Sequence, residues 1–189
     1  MTLIEHLEKY FGPLVEGWAD SSPAAVGDKS IQVVRFPSVP YEGVSTFATL
    51  GLSDYVADMG AGRSVRQELL FATRDCYPVE QVASFLFTFA SFVRSRQRAL
   101  LRGDVIGPSV PLISGVAENA LYASDPVIFP EGVGAYSMSF PPTVMVWLIP
   151  LIGSDSMLVK EVGWGRFEDL LEAENPDLLD LNRDPLRNI

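Results

Sequence analysis

A single cysteine, Cys76, stands in the 189 residues, so no internal disulfide can form. A chain without a disulfide framework fits a reducing compartment, and a cytoplasmic location is expected. Histidine is equally scarce. His6 and Cys76 together cannot supply the four soft ligands of a structural zinc site, and no run of acids has calcium-loop spacing. No metal or cofactor is therefore expected. Basic charge is also short: 14 Lys and Arg against 24 Asp and Glu leave a net charge of −10. Phosphate recognition needs a basic surface, so nucleic acid is not an expected partner, and a basic protein is the better electrostatic match.

Long hydrophobic runs are missing too. The longest, Val144 to Ile152, is about half a membrane span and contains Pro150, so no transmembrane helix is expected. The opening Met1-Thr2-Leu3-Ile4-Glu5-His6 lacks a basic segment followed by an apolar one, so no secretory leader is expected. Position 2 is not glycine and the chain ends Arg187-Asn188-Ile189, so no lipid anchor is expected either.

What is present is globular. Hydrophobic residues make up 48% and charged residues 20%, the balance of a folded domain. A chain of this length buries roughly 70% of its unfolded surface, enough for a core without staples. No repeat, low-complexity tract or linker divides it, so residues 1–189 are expected to form one domain.

The elements follow from pattern. Thr2 and Glu5 form a capping box ahead of a helix with Ile4, Leu7 and Phe11 on one face, stopped at Gly12-Pro13. Ser21 to Asp28 reads as a turn. Ile31 to Phe36 and Val44 to Leu50 read as strands, Asp54 to Gly62 as a loop, and Gln67 to Thr73 as a strand. Val82 to Leu101 is the clearest helix: Val82, Phe85, Leu86, Phe89 and Val93 recur at helical spacing, and Arg94, Arg96, Arg98 and Arg102 crowd its end. Tyr136 to Phe140 alternates as a strand does, and the apolar run Thr143 to Leu148 fits a central strand buried on both faces. Ser154 to Val162 and Arg166 to Ala173 read as helices, and the tail after Leu178 as surface. Regular strand–helix alternation is lacking, so the expected fold is α+β, a mixed, mostly antiparallel sheet flanked by helices.

Catalytic motifs do not complete. Gly51-Leu52-Ser53-Asp54-Tyr55 fails the nucleophile elbow at Tyr55. Gly132-Val133-Gly134 runs into a strand pattern where a dinucleotide site needs a helix. Gly60-Ala61-Gly62 lacks the lysine of a phosphate loop, and all three segments read as turns. Cys76 and His6 are a formal nucleophile–base pair, but a lone cysteine is expected to be a small buried residue and His6 a surface or partly buried helix residue. Acid pairs meet only in a fold, which leaves a hydrolase as a lesser alternative.

The order of motifs is more informative. Phe11-Gly12 follows a first helix containing a histidine, and Val33-Val34-Arg35-Phe36-Pro37 comes next. Thr46 to Ser53 reads T-F-A-T-L-G-L-S, then Glu68-Leu69-Leu70. After the long helix come Leu101-Arg102-Gly103-Asp104-Val105-Ile106 and Val146-Trp147-Leu148-Ile149-Pro150-Leu151. Glu161-Val162-Gly163, Phe167 to Leu171 and Asp180-Leu181-Asn182-Arg183-Asp184-Pro185 close the chain. This series resembles the suppressor-of-fused domain family over about residues 1 to 185. Two positions depart from its pattern: Asp104 stands where the family has histidine, and Cys76-Tyr77-Pro78 where it has tryptophan-proline.

The resemblance implies protein binding and no chemistry. Animal members are larger and sequester transcription factors, whereas short bacterial members are associated with immunity to toxins. The expected function is thus a non-enzymatic immunity protein that neutralises a cognate toxin, and the net charge of −10 favours a basic one. The alternative is a regulatory or scaffold domain that binds a host protein. The candidate contact residues are Asp54, Tyr55 and Asp58, acid around an aromatic anchor, together with Asp104. An exposed sheet edge is a further route to a partner peptide. Glu168, Asp169, Glu172 and Glu174 are expected to form the solvated face of a helix.

Overall fold

The structure is a computed structural model and describes residues 1–19, 30–108, 113–114, 116 and 119–187. The Ser21 to Asp28 turn expected from sequence lies outside them. The first helix, α1 (Leu3–Phe11), starts where the capping box places it: Thr2 Oγ1 accepts from Glu5 N at 3.3 Å, and Thr2 N donates to Glu5 Oε2 at 2.7 Å. Gly12, at φ +80°, ends the helix. Its inner face buries His6, Leu7 and Phe11. Thr2→Ala removes this exposed cap and is expected to cost about 1 kcal/mol in a urea melt.

The strands among the described residues are β1 (Glu16–Ala19), β2 (Gln32–Pro37), β3 (Val44–Leu50), β4 (Ala57–Gly60), β5 (Arg63–Arg74), β6 (Val105–Ile106), β7 (Ala120–Ser124), β8 (Ala135–Tyr136) and β9 (Thr143–Leu151). Their order is β1-β2-β3-β5-β9-β7-β6, with β4 on β5 and β8 on β9. Among the described strands, β5 and β9 are the one parallel pair, Arg66 opposite Thr143 through Leu70 opposite Trp147. The expected α+β fold with a mixed, mostly antiparallel sheet is the observed one.

Alternation along the strands divides the core into two layers. On one face Phe47, Leu69, Phe71 and Leu148 pack under α2 (Val79–Arg96), which contributes Val82, Leu86, Phe89 and Val93. On the other, Phe36, Leu70, Met145, Trp147 and Ile149 meet Leu7 and Phe11 of α1, Leu158 and Val159 of α3 (Asp155–Val162), and Phe167 of α4 (Trp164–Glu174). β9 is buried on both faces, as its apolar run requires.

Four expectations are corrected. The segment Asp54 to Gly62 is not a plain loop: Ala57–Gly60 is a strand in a hairpin with β5. The alternation at Tyr136 to Phe140 yields only the two-residue β8, and Met138 and Phe140 are exposed. Tyr136 donates its hydroxyl to the Met1 carbonyl at 2.7 Å. The long helix stops at Arg96, because Gln97 adopts φ +54° and the chain turns to lie beside β4. Finally, the polar-looking tail is not surface. Leu179, Leu181, Arg183 and Leu186 are buried. The main chain there completes the end of β5, where Arg74 N donates to Leu179 O at 3.2 Å.

Candidate partner-binding surface

The end of β3 builds the surface. Gly51 sits at φ +98°, and a Cβ there would lie 2.7 Å from the Ser30 carbonyl oxygen, so the position needs glycine. A 3-10 turn (Leu52–Asp54) follows. It is held from below by Glu68, which is fully buried on β5. The Glu68 carboxylate accepts from Thr49 Oγ1 at 2.5 Å, Gly51 N at 2.9 Å and Ser53 N at 3.0 Å. Burial raises the Glu68 pKa to about 7, against the lowering effect of these hydrogen bonds. From the side, Arg66 donates to the carbonyls of Ser53 at 2.6 Å and Asp54 at 3.0 Å.

This arrangement presents three of the expected residues together. Asp54 and Asp58 are exposed and Tyr55 is half-buried between them. Arg94 of α2 donates to the Tyr55 hydroxyl at 3.3 Å and its guanidinium lies 5.3 Å from the ring centroid. Asp58 accepts from Gly60 N at 2.8 Å, which tightens the β4–β5 turn. Its main chain bonds Gln97 O at 3.0 Å and Ala99 N at 2.9 Å. Between this segment and the end of α2 lies a cleft of about 380 Å³, lined by Leu52, Tyr55, Val56, Ala57, Ser91 and Arg94 among others. Its floor includes Gln67, whose amide bonds both the N–H and the C=O of Leu100.

Asp104 belongs to a different place. It is half-buried, and its carboxylate accepts from Leu101 N at 2.9 Å, closing the turn that leads into β6. Gly103 N and Asp104 O pair with Ala123, both at 2.9 Å. β6 is the last strand of the sheet on this side, and among the described residues its outer edge has no ladder partner.

A second polar cluster escapes the sequence reading. Glu168 is half-buried, not part of a solvated face. It pairs with Arg102 and accepts from the Tyr122 hydroxyl at 2.7 Å. Arg102 also reaches Asp125 at 3.1 Å and lies over the Trp164 ring. Burial pushes the Glu168 pKa up, but the hydrogen bonds from Arg102 and Tyr122 and the Arg102 charge outweigh it and hold the pKa below the usual range. Gly103 is packed against Trp164: a Cβ there would lie 2.7 Å from the indole. Asp169 and Glu172 do face solvent, while Glu174 is half-buried and accepts from Arg187 N.

Neither member of the formal catalytic pair lies where the sequence places it. Cys76 is exposed at the turn after β5, not buried. His6 is buried, with Nε2 3.1 Å from the Val133 carbonyl oxygen. Among the described residues no group of three or more His, Cys, Asp or Glu is placed to hold a metal ion. Nor is any helix there long and apolar enough to cross a membrane.

The fold is a three-layer α+β domain, with the sheet between α2 on one face and α1, α3 and α4 on the other. Comparison with known proteins gives the family. The family model described as suppressor of fused protein (SUFU) matches residues 27–184, and the chain belongs to that family. A 1.40 Å crystal structure of a SUFU homolog from Neisseria gonorrhoeae FA 1090 superposes with a TM-score of 0.76 at 15% identity, over 97% of this chain and 93% of that one. A chain of the Sufu–Fu complex superposes with a TM-score of 0.64 at 13% identity, over 96% and 89%. No curated protein sequence matches.

Proposed function

We propose that this chain is a non-enzymatic protein-binding domain that acts as an immunity protein against a cognate bacterial toxin. The observation that carries the binding reading is the Asp54–Asp58 segment: two exposed carboxylates flank a half-buried tyrosine at the mouth of a cleft, on a turn locked by Glu68 and Arg66. A pre-ordered aromatic anchor with charged neighbours is the composition of an interface hot spot, and ordering it in advance lowers the cost of association. The β6 edge beside Asp104, without a ladder partner among the described residues, offers main-chain pairing as a second contact. The surplus of acids favours a basic toxin domain and speeds encounter with it.

Regulatory or scaffold binding of a host protein is the second reading, favoured by the solved family relative that is a complex, Sufu with Fu. A tagged pull-down from the native cell separates the two. A stoichiometric basic partner with a toxin-like terminal domain, whose toxicity this chain relieves, supports immunity. A host regulator as the sole stoichiometric partner replaces it with the second reading. In either case the double variant Tyr55→Ala/Asp58→Lys is expected to weaken the purified complex by roughly ten-fold or more. An unchanged Kd would remove this segment from the interface.

A further inference from the structure

We infer that Glu68 is a proton-operated latch: with its carboxyl neutral the turn Gly51–Val56 stays closed over it, and ionisation loosens the turn by drawing water to the buried charge. The geometry carries this. The carboxyl is fully buried directly beneath the turn. Two of its hydrogen bonds come from the main chain of the turn itself, Gly51 N and Ser53 N. Opening the turn therefore removes two of its hydrogen bonds and admits water to Glu68 from that side.

The charged surroundings are sparse. On β5, Arg66 directs its guanidinium to the carbonyls of Ser53, Asp54 and, at 3.4 Å, Phe140. In the turn, Asp54 is exposed. Neither β3 nor β9, the strands on either side, contains an ionisable residue. The polar partner on β3 is Thr49, whose Oγ1 accepts from Leu69 N at 2.8 Å while its hydroxyl donates to Glu68. A neutral carboxyl still accepts from both turn N–H groups through one oxygen and reverses the bond to Thr49 through the other, so the closed turn accommodates it.

Proton linkage sets the direction. The closed state holds the Glu68 pKa well above that of a hydrated carboxyl. Between those two values, closing takes up a proton, so opening becomes easier as pH rises. Asp54 and Tyr55 ride on the turn. If they form the partner surface, a consequence that rests on the function proposed above, partner affinity falls over the same pH range.

The test uses the free full-length chain. Amide hydrogen exchange of Gly51, Ser53 and Tyr55 is followed from pH 5 to 8 and corrected for intrinsic exchange. The opening constant is expected to rise with pH by up to roughly ten-fold per unit, then level off. Glu68→Gln, an uncharged mimic of the protonated acid, is expected to stay closed and flat. A wild-type profile already flat, or the same slope in Glu68→Gln, overturns the latch. Should Glu68→Gln fail to fold, the carbon-13 shift of the Glu68 carboxyl in the wild-type chain decides. Co-titration with the Gly51 and Ser53 amides supports the latch, and independent titration overturns it. A turn that titrates beside partner affinity that does not removes the turn from the interface and leaves the latch standing.

Discussion

Asp155→Ala is expected to destabilise the fold by about 3–5 kcal/mol, the largest effect of any single carboxylate here. Asp155 opens α3 and is fully buried. Its carboxylate accepts from Arg183 Nη2 at 2.6 Å, Ile152 N at 3.1 Å and Leu186 N at 2.8 Å. Arg183 is itself buried and donates further to Pro150 O at 3.2 Å and Asp184 O at 2.9 Å. Deleting the carboxylate strands a guanidinium with no counter-charge and takes the acceptor from two buried N–H groups, Ile152 N and Leu186 N. The cheapest escape is release of the tail, which would also bring Leu179, Leu181 and Leu186 into water. At roughly 2–4 °C per kcal/mol for a chain of this size, Tm should fall by about 6–20 °C. Asp155→Ala/Arg183→Leu, which removes both charges, should recover a large part of the loss. A single variant within about 1 kcal/mol of wild type would show that the pair is not what holds the tail.

The second large effect is a pH dependence. Glu68 has a folded-state pKa of about 7 against 4.5 unfolded. Between these values the folded chain keeps a proton that the unfolded chain has lost. Its contribution to stability is therefore complete below pH 4.5, falls as pH rises, and is gone above pH 7. At 1.36 kcal/mol per pKa unit the total is about 3 kcal/mol. Glu168 and Asp180 act in the opposite sense, because hydrogen bonds hold both below their ordinary values. Their contributions are present near neutral pH and lost in acid. They are common to wild type and Glu68→Gln, so the difference between the two urea-melt profiles isolates Glu68. A difference that does not change between pH 4.5 and 7.5 would mean that the carboxyl is hydrated in the folded chain.

Most elements were legible in the sequence because local chemistry set them. The Thr2 capping box, the helical stripe from Val82 to Val93 and the apolar run of β9 each dictate their own structure. Two of the misreadings trace to partners far along the chain. Residues 57–60 look like a loop, yet they bridge to Arg98 besides forming a hairpin with β5. The tail looks like surface because its acids pair elsewhere: Asp177 binds Arg74, and Asp180 accepts from the Tyr77 hydroxyl at 2.6 Å. Cys76 reads as buried from residue type alone, yet it falls at an exposed turn.

The candidate surface was half legible. Acid around Tyr55 was visible, but what makes it rigid was not, because Glu68 and Arg66 reach it from the next strand. One signal was available. In Gln67-Glu68-Leu69-Leu70-Phe71-Ala72, strand alternation puts Glu68 on the same face as Leu70 and Ala72, which marks a carboxylate inside the core. Asp104 was read as a contact residue by its position in the family pattern; that its carboxylate also closes a turn was not visible in the sequence.

The place of β9 in the sheet also bears on how the chain is made. Its slot lies between β5 and β7, yet β9 begins about 70 residues after β5 ends. At ribosomal speeds of roughly 5–20 residues per second, the edge of β5 stays unpaired for several seconds after it leaves the exit tunnel. That edge, Arg66 to Leu70, includes the apolar Leu69 and Leu70 and is a template for pairing with neighbouring nascent chains. The N-terminal half is thus a natural client for a chaperone acting during translation, and crowded polysomes are where this protein is most exposed to aggregation.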